Sequence, residues 1–217
     1  MEHNIINIDL SSDLKNKKIQ FLLKRVLDVL LSIIGIIIFS PVFIIVFIAI
    51  KRDGKGPAIF RQVRVGKDQN NFVIYKFRTM IVNAEKQQEI KIDVKDIDDF
   101  VFQNKMDKRI TKLGAFLRDK SIDELPQLFN VLIGNMSLVG PRPEIVEVVK
   151  CYPEYYKQRL LVKPGMTGLA QINGRGEIAL GKTVYYDLTY IKKFSLTYDI
   201  KLLFLTFISV IKGAGAM

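Results

Sequence analysis

From residue 26 to residue 50 the chain is almost wholly apolar, interrupted only by Asp28, Ser32, Gly35, Ser40 and Pro41. Such a run calls for lipid, and at about 1.5 Å per residue it is long enough for one straight helix through a hydrocarbon core of about 30 Å. Two features favour a different path. Pro41 removes a backbone donor and crowds the preceding turn, so a kink or break is expected at Ser40-Pro41. The arms 26–39 and 42–50 would then be about 21 Å and 14 Å long, and neither spans alone. Both flanks are positive, with Lys15, Lys17, Lys18, Lys24 and Arg25 before the run and Lys51, Arg52 and Lys55 after it. The positive-inside rule places both ends in the cytoplasm. The sequence thus predicts a re-entrant helix-break-helix hairpin, with the Ser40 hydroxyl serving a carbonyl freed by Pro41. Asp28, one turn after Lys24 and Arg25, reads as a local ion-pair partner. No small-residue cleavage site follows the run, so it is expected to stay attached.

The chain divides on this reading into a polar segment 1–20, a membrane hairpin 21–52 and a cytoplasmic globular domain 53–217 with amphipathic helices at the membrane interface. In that domain, residues 58–65 and 72–77 alternate around Gly66-Lys67-Asp68 as a β-hairpin ending in Lys76-Phe77-Arg78-Thr79. Residues 110–117 and 125–133 read as helical, and 140–143, 163–165 and 173–176 as loops. The acid-rich stretch 80–106 reads as a solvated loop, although its Asp96-Ile97-Asp98 matches a short metal-binding pattern of glycosyltransferases. Residues 198–211 form an aromatic amphipathic helix for the interface or the core. The fold class is α+β, mostly helical, on a monotopic membrane protein.

Lys and Arg number 33 against 22 Asp and Glu, a formal charge of +11. That balance suits an anionic partner: nucleic acid, lipid headgroups or phosphorylated small molecules. The basic residues are scattered and no nucleic-acid-binding signature occurs, so no nucleic-acid partner is expected. A single cysteine, Cys151, and a single histidine, His3, exclude an internal disulfide, multi-cysteine zinc sites and histidine triads. Neither a Walker motif nor a dinucleotide fingerprint occurs.

Ser121-Ile122-Asp123-Glu124 fits a capping box before an apolar helix, which places two carboxylates at a helix N-terminus. Alone, that pattern is ordinary capping. Arg118, Arg142 and Arg175 surround it in sequence, each beside Gly, Pro or a helix end where a guanidinium can fork onto phosphate. A divalent metal would bridge carboxylate and diphosphate in such a site.

From Lys24 to about Lys201 the chain resembles the bacterial sugar transferases, the monotopic phosphoglycosyl transferases. The resemblance rests on Lys24-Arg25-x-x-Asp28, Ser40-Pro41, Lys76-Phe77-Arg78-Thr79-Met80, Asp123-Glu124-Leu125-Pro126-Gln127, residues 136–144 (MSLVGPRPE) and Pro164-Gly165-Met166-Thr167-Gly168. It implies that residues 53–217 are catalytic and that Asp123 attacks the sugar-bearing phosphate of a UDP-sugar. UMP would leave, and undecaprenyl phosphate would then take the phosphosugar, opening glycan or glycoconjugate assembly. By the same correspondence Asp123 meets Mg²⁺, Glu124 assists, and Arg118, Arg175, Lys76 and Arg78 grip phosphate. Pro141, Arg142 and Pro143 would line a uridine pocket, and Asp187 and Asp199 would support the site. The resemblance implies the cytoplasmic face of the plasma membrane, membrane lipids as partners, and, from the short stretch before Lys24, the minimal catalytic form. Many members carry a Trp after the Asn-Gly-Arg loop; this chain has none.

Other readings remain open on the residues alone. A membrane-anchored scaffold would use Asp123-Glu124 only as a cap, without metal dependence. A glycosyltransferase working through Asp96 and Asp98 would release UDP instead of UMP.

Overall fold

The apolar run folds as one helix. In the computed structural model, which describes residues 10–84, 94–101, 107–174 and 178–212, a short α1 (Leu10–Lys15) leads into α2 (Lys18–Asp53), with Pro41 inside it. The chain stays helical through Pro41 and does not divide into two elements there. Ser40 Oγ donates to the carbonyl of Ile37 at 2.8 Å, the group whose helical donor Pro41 lacks, so the loss is satisfied locally and the helix continues. Residues 37–41 are exposed while both flanks pack on the body of the protein. Both flanks touch α4 (Gln127–Ile133): Arg25 donates to the carbonyls of Val131 and Leu132, Gly35 faces Leu128, and the rings of Phe43 and Phe129 lie 5.8 Å apart.

The polar residues of the first arm fasten it to the domain instead of pairing with one another. Asp28 Oδ1 accepts from Leu138 N at 2.9 Å and from Ser137 Oγ at 3.1 Å, both in the short strand Ser137–Val139. Lys24 Nζ donates to Val139 O at 2.9 Å and pairs with Asp199 at 2.5 Å. A helix leaning on a strand offers each side chain a deeper partner than its own surface does.

The sequence-predicted hairpin is present as β1 (Ile59–Val65) and β2 (Asn71–Phe77), antiparallel from Ile59↔Phe77 to Val65↔Asn71. Thr111 caps α3 (Lys112–Asp119), its Oγ1 accepting from Gly114 N at 2.9 Å. A side chain at Gly114 would run into the Thr79 carbonyl, so glycine lets α3 close onto the end of the hairpin. After α4, β3 (Ser137–Val139) pairs in parallel with β4 (Gly165–Thr167), the crossover carrying α5 (Val146–Lys150) and α6 (Glu154–Lys157). The chain closes with α7 (Leu169–Gly174), α8 (Leu180–Lys193) and α9 (Leu196–Lys212). Val139, Val148, Tyr156, Val184 and Ile191 lie in the main core. A second cluster joins Val46 and Ile50 of α2 to Phe77 and Leu117. On α9, Leu202 is buried while Ile200, Phe204, Phe207 and Val210 face outward, an apolar row suited to an interface.

The acid-rich stretch is not simply solvated. Residues Val94–Asp99 form a 3₁₀ turn whose Ile97 is buried in the main core, and Asp98 accepts the Tyr156 hydroxyl. Core packing of one isoleucine holds the turn in place. Residues 85–93 and 102–106 lie outside the described residues.

Arg78, expected on substrate phosphate, instead closes the end of α2. Its Nη1 donates to the carbonyls of Lys55 and Pro57, and its Nη2 to those of Ile50 and Gly54, all at 2.9–3.0 Å. Carbonyls left without donors at a helix C-terminus attract a guanidinium. Arg78→Ala and Arg78→Lys are both expected to lose about 1–3 kcal/mol, since an ammonium cannot fork over four carbonyls. Thermal melts in detergent check this; unchanged melting of both variants would refute the capping role.

Candidate active site

Asp123 and Glu124 sit on a 3₁₀ turn (Ile122–Glu124) between α3 and α4. Ser121 has a left-handed backbone with φ 55° and makes no capping bond through its side chain, and Pro126 precedes the first residue of α4. The capping box is therefore not formed. The left-handed turn at Ser121 reverses the chain, so neither carboxylate caps α4.

Asp123 is 8% exposed, and among the described residues its carboxylate makes no hydrogen bond or ion pair. Burial pushes its pKa up to about 6; Glu124 adds to the rise, while Lys76, Arg118 and Arg142 oppose it. Glu124 is engaged: its Oε1 accepts from Lys76 Nζ at 2.8 Å and from Arg142 Nη1 at 3.3 Å. Burial pulls the Lys76 pKa down, against the pull of Glu124. Arg118 donates through Nε to Thr79 Oγ1 at 2.9 Å, and among the described residues its Nη nitrogens make no bond. Three elements thus converge: β2 brings Lys76, α3 brings Arg118, and the loop after β3 brings Arg142. The result is a cationic ring about an unengaged carboxylate.

Arg142 is itself held from behind. Arg159, buried, donates to the Arg142 carbonyl at 3.0 Å and to Glu144 at 3.4 Å, and pairs with Asp187 at 2.6 Å. Among the described residues Asp187 therefore reaches the site through Arg159. Asp199 stands with Lys24 and Tyr190 at the root of α2, away from this ring. Pro141 accepts from Gly165 N at 2.8 Å, and Pro143 lines a small cavity with Arg64, Lys76, Gln127, Arg142 and Gly165. Arg175 lies outside the described residues.

Sequence reasoning missed Arg64 and Gln127 as lining residues. Arg64 Nε and Gln127 Nε2 are both buried without a partner among the described residues. Gln127 closes the Asp-Glu-Leu-Pro-Gln motif, which was its one signal; for Arg64, alternating on β1 among other basic residues, there was none.

Among the described residues no group of three or more His, Cys, Asp and Glu comes together. Adjacent Asp123 and Glu124 offer hard oxygen donors, which fits Mg²⁺, an ion commonly held by one or two carboxylates plus substrate phosphates and water.

Fold and site together define a membrane-associated α+β protein with an anion-attracting pocket. The chain belongs to the bacterial sugar transferase family, whose profile matches residues 19–213. It is 42% identical over 218 residues to an uncharacterized sugar transferase of Haemophilus influenzae, covering 99% of this chain and 46% of that protein. It is 40% identical over 221 residues to the undecaprenyl-phosphate galactose phosphotransferase of Salmonella typhimurium, covering 99% and 45%. Over 203 residues it is 45% identical to a UDP-glucose:undecaprenyl-phosphate glucose-1-phosphate transferase of Klebsiella pneumoniae, covering 90% and 41%. The chain spans about half the length of these relatives.

Because its folded pKa is raised, Asp123 favours folding most below its unfolded value near 3.8 and loses that contribution as pH rises through about 6. Asp123→Asn should therefore be more stable than the parent at about pH 8, by on the order of 1–3 kcal/mol. The gap should shrink toward about pH 4. Melting curves across that range test it, and identical curves at the alkaline end would show a solvated carboxylate.

Proposed function

We propose that this protein transfers a sugar-1-phosphate from a UDP-sugar to undecaprenyl phosphate, with Asp123 as the nucleophile. The observation that carries the reading is the Asp123 carboxylate: nearly buried, bonded to nothing among the described residues, and ringed by Lys76, Arg118 and Arg142. Buried carboxylates are ordinarily bonded within the fold, so one without a partner has its oxygens available to a substrate or metal. The substrate classes come from the names of the Salmonella and Klebsiella relatives.

In the first step an Asp123 oxygen attacks the sugar-bearing phosphorus. The bond from that phosphorus to the bridging oxygen breaks, and UMP leaves with the electron pair. The enzyme then carries an aspartyl phosphosugar. In the second step an undecaprenyl phosphate oxygen attacks the same phosphorus and frees Asp123. Arg118, with unused Nη nitrogens, and Lys76 and Arg142 stabilise charge that builds on the phosphoryl oxygens. Arg175 would add to this grip, and Pro141, Arg142 and Pro143 would border the uridine. Glu124, held by Lys76 and Arg142, positions both cations. Mg²⁺, held by Asp123 beside Glu124, would neutralise diphosphate charge.

On this reading α2 seats its exposed apolar residues 37–41 in the cytoplasmic leaflet, since both its flanks rest on one domain. Lipid phosphate and buried carboxylate then meet near headgroup depth.

Purified protein given UDP-sugars, Mg²⁺ and undecaprenyl phosphate should release UMP, with a loss of about 10³-fold or more in Asp123→Asn. UDP as product would point to a glycosyltransferase, and silence across a broad sugar panel to a scaffold.

A further inference from the structure

A second cleft, of about 150 Å³, lies where the first arm of α2 crosses β3, and it shares no lining residue with the cavity beside Glu124. Phe21, Val139, Val162 and Tyr190 give it apolar walls; Arg25, Lys67 and Lys163 give it charge. None of these three cations is neutralised by a close carboxylate among the described residues. Among the described residues Arg25 donates to two backbone carbonyls, Lys67 has the exposed Asp68 at 3.7 Å, and Lys163 makes no hydrogen bond or ion pair. The cleft's other charges are spent within the fold: Lys24 pairs with Asp199, and Asp28 accepts from Ser137 and Leu138. Arg25 Nη2 and Lys163 Nζ lie 3.4 Å and 3.5 Å from the place a Cβ would take on Gly134, so they stand within about 7 Å of each other. Burial pulls the Lys163 pKa down, and Arg25 and Lys67 add to this by repulsion while Asp28 opposes it. An anion in the cleft would relieve that repulsion. The same arm turns Leu22, Leu23, Val26 and Leu27 outward.

We infer that this cleft binds an anionic phospholipid, its headgroup phosphate between Arg25, Lys67 and Lys163 and its acyl chains along the outward leucines of α2. A phosphate offers several oxygens to donors that approach from separate elements, which suits two ammonium groups and a guanidinium. The apolar walls favour a lipid over a free ion. The inference rests on the membrane reading of α2 but not on the transfer reaction.

Native mass spectrometry of the detergent-solubilised chain, titrated with phosphatidylglycerol or phosphatidylcholine, tests it. Phosphatidylglycerol should be retained about tenfold more tightly. Lys163→Gln and Lys67→Gln should each weaken that retention roughly fivefold, and together remove the preference. Lys163→Arg should keep it, which guards against misfolding, as should Lys182→Gln, an exposed charge outside the cleft. The titration is repeated on Asp123→Asn, where the preference should persist, so that failure of this site and failure of the transferase reading are told apart. No preference in the parent, or the same preference in the Lys67/Lys163 double variant, overturns the inference. So does displacement by millimolar inorganic phosphate, which would mark a free-anion site. Displacement by equimolar undecaprenyl phosphate would mark the acceptor's own seat and overturn it equally.

Discussion

The carboxylate of Asp28, accepting Leu138 N and Ser137 Oγ, is the contact on which the rest of the arrangement depends. It lies in a lipid-facing helix, where an unpaired charge is costly, and it is satisfied by the strand that leads toward the site. Lys24 reinforces the junction from the same face of α2 through Val139 O and Asp199. From Val139 the chain passes through Gly140 and Pro141 to Arg142, which meets Glu124. A short path of backbone and buried polar bonds therefore links the exposed helix to the carboxylate pair.

Charge is distributed unevenly around the pair. Glu124 takes the bonds of Lys76 and Arg142, so its own charge is offset, whereas Asp123 is left unbonded and its pKa rises. Two adjacent carboxylates on one turn thus meet different surroundings, one bonded to two cations and, among the described residues, one to none. Leaving Asp123 unbonded costs the folded state stability near neutral pH, an expense typical of sites shaped for reaction.

Arg78 and Arg118 show why the basic residues were hard to sort. In sequence both are arginines near a turn. In the fold, Arg78 faces four carbonyls at the end of α2, and Arg118 spends only its Nε on Thr79. Which acceptors lie within reach depends on where α2 ends relative to β2, a long-range relation. Asp28 shows the same limit: its neighbours in sequence are Lys24 and Arg25, yet β3 supplies better partners. Ser121 differs, because a local signal was overridden when its backbone turned left-handed.

Local chemistry was legible from the chain itself. The length and purity of residues 26–50 called for a lipid-facing helix, the Gly66-Lys67-Asp68 turn for a hairpin, and Ser40 for a bond to the carbonyl that Pro41 leaves free. These follow from short-range sterics and hydrophobic pattern. Tertiary packing alone decided that Ile97 is drawn into the core and that Asp187 pairs with Arg159. It alone also left Asp123 without a bond among the described residues. Each of these depends on which distant acceptor or cavity a side chain meets once the elements close, and that competition has no trace in the spacing of residues along the chain.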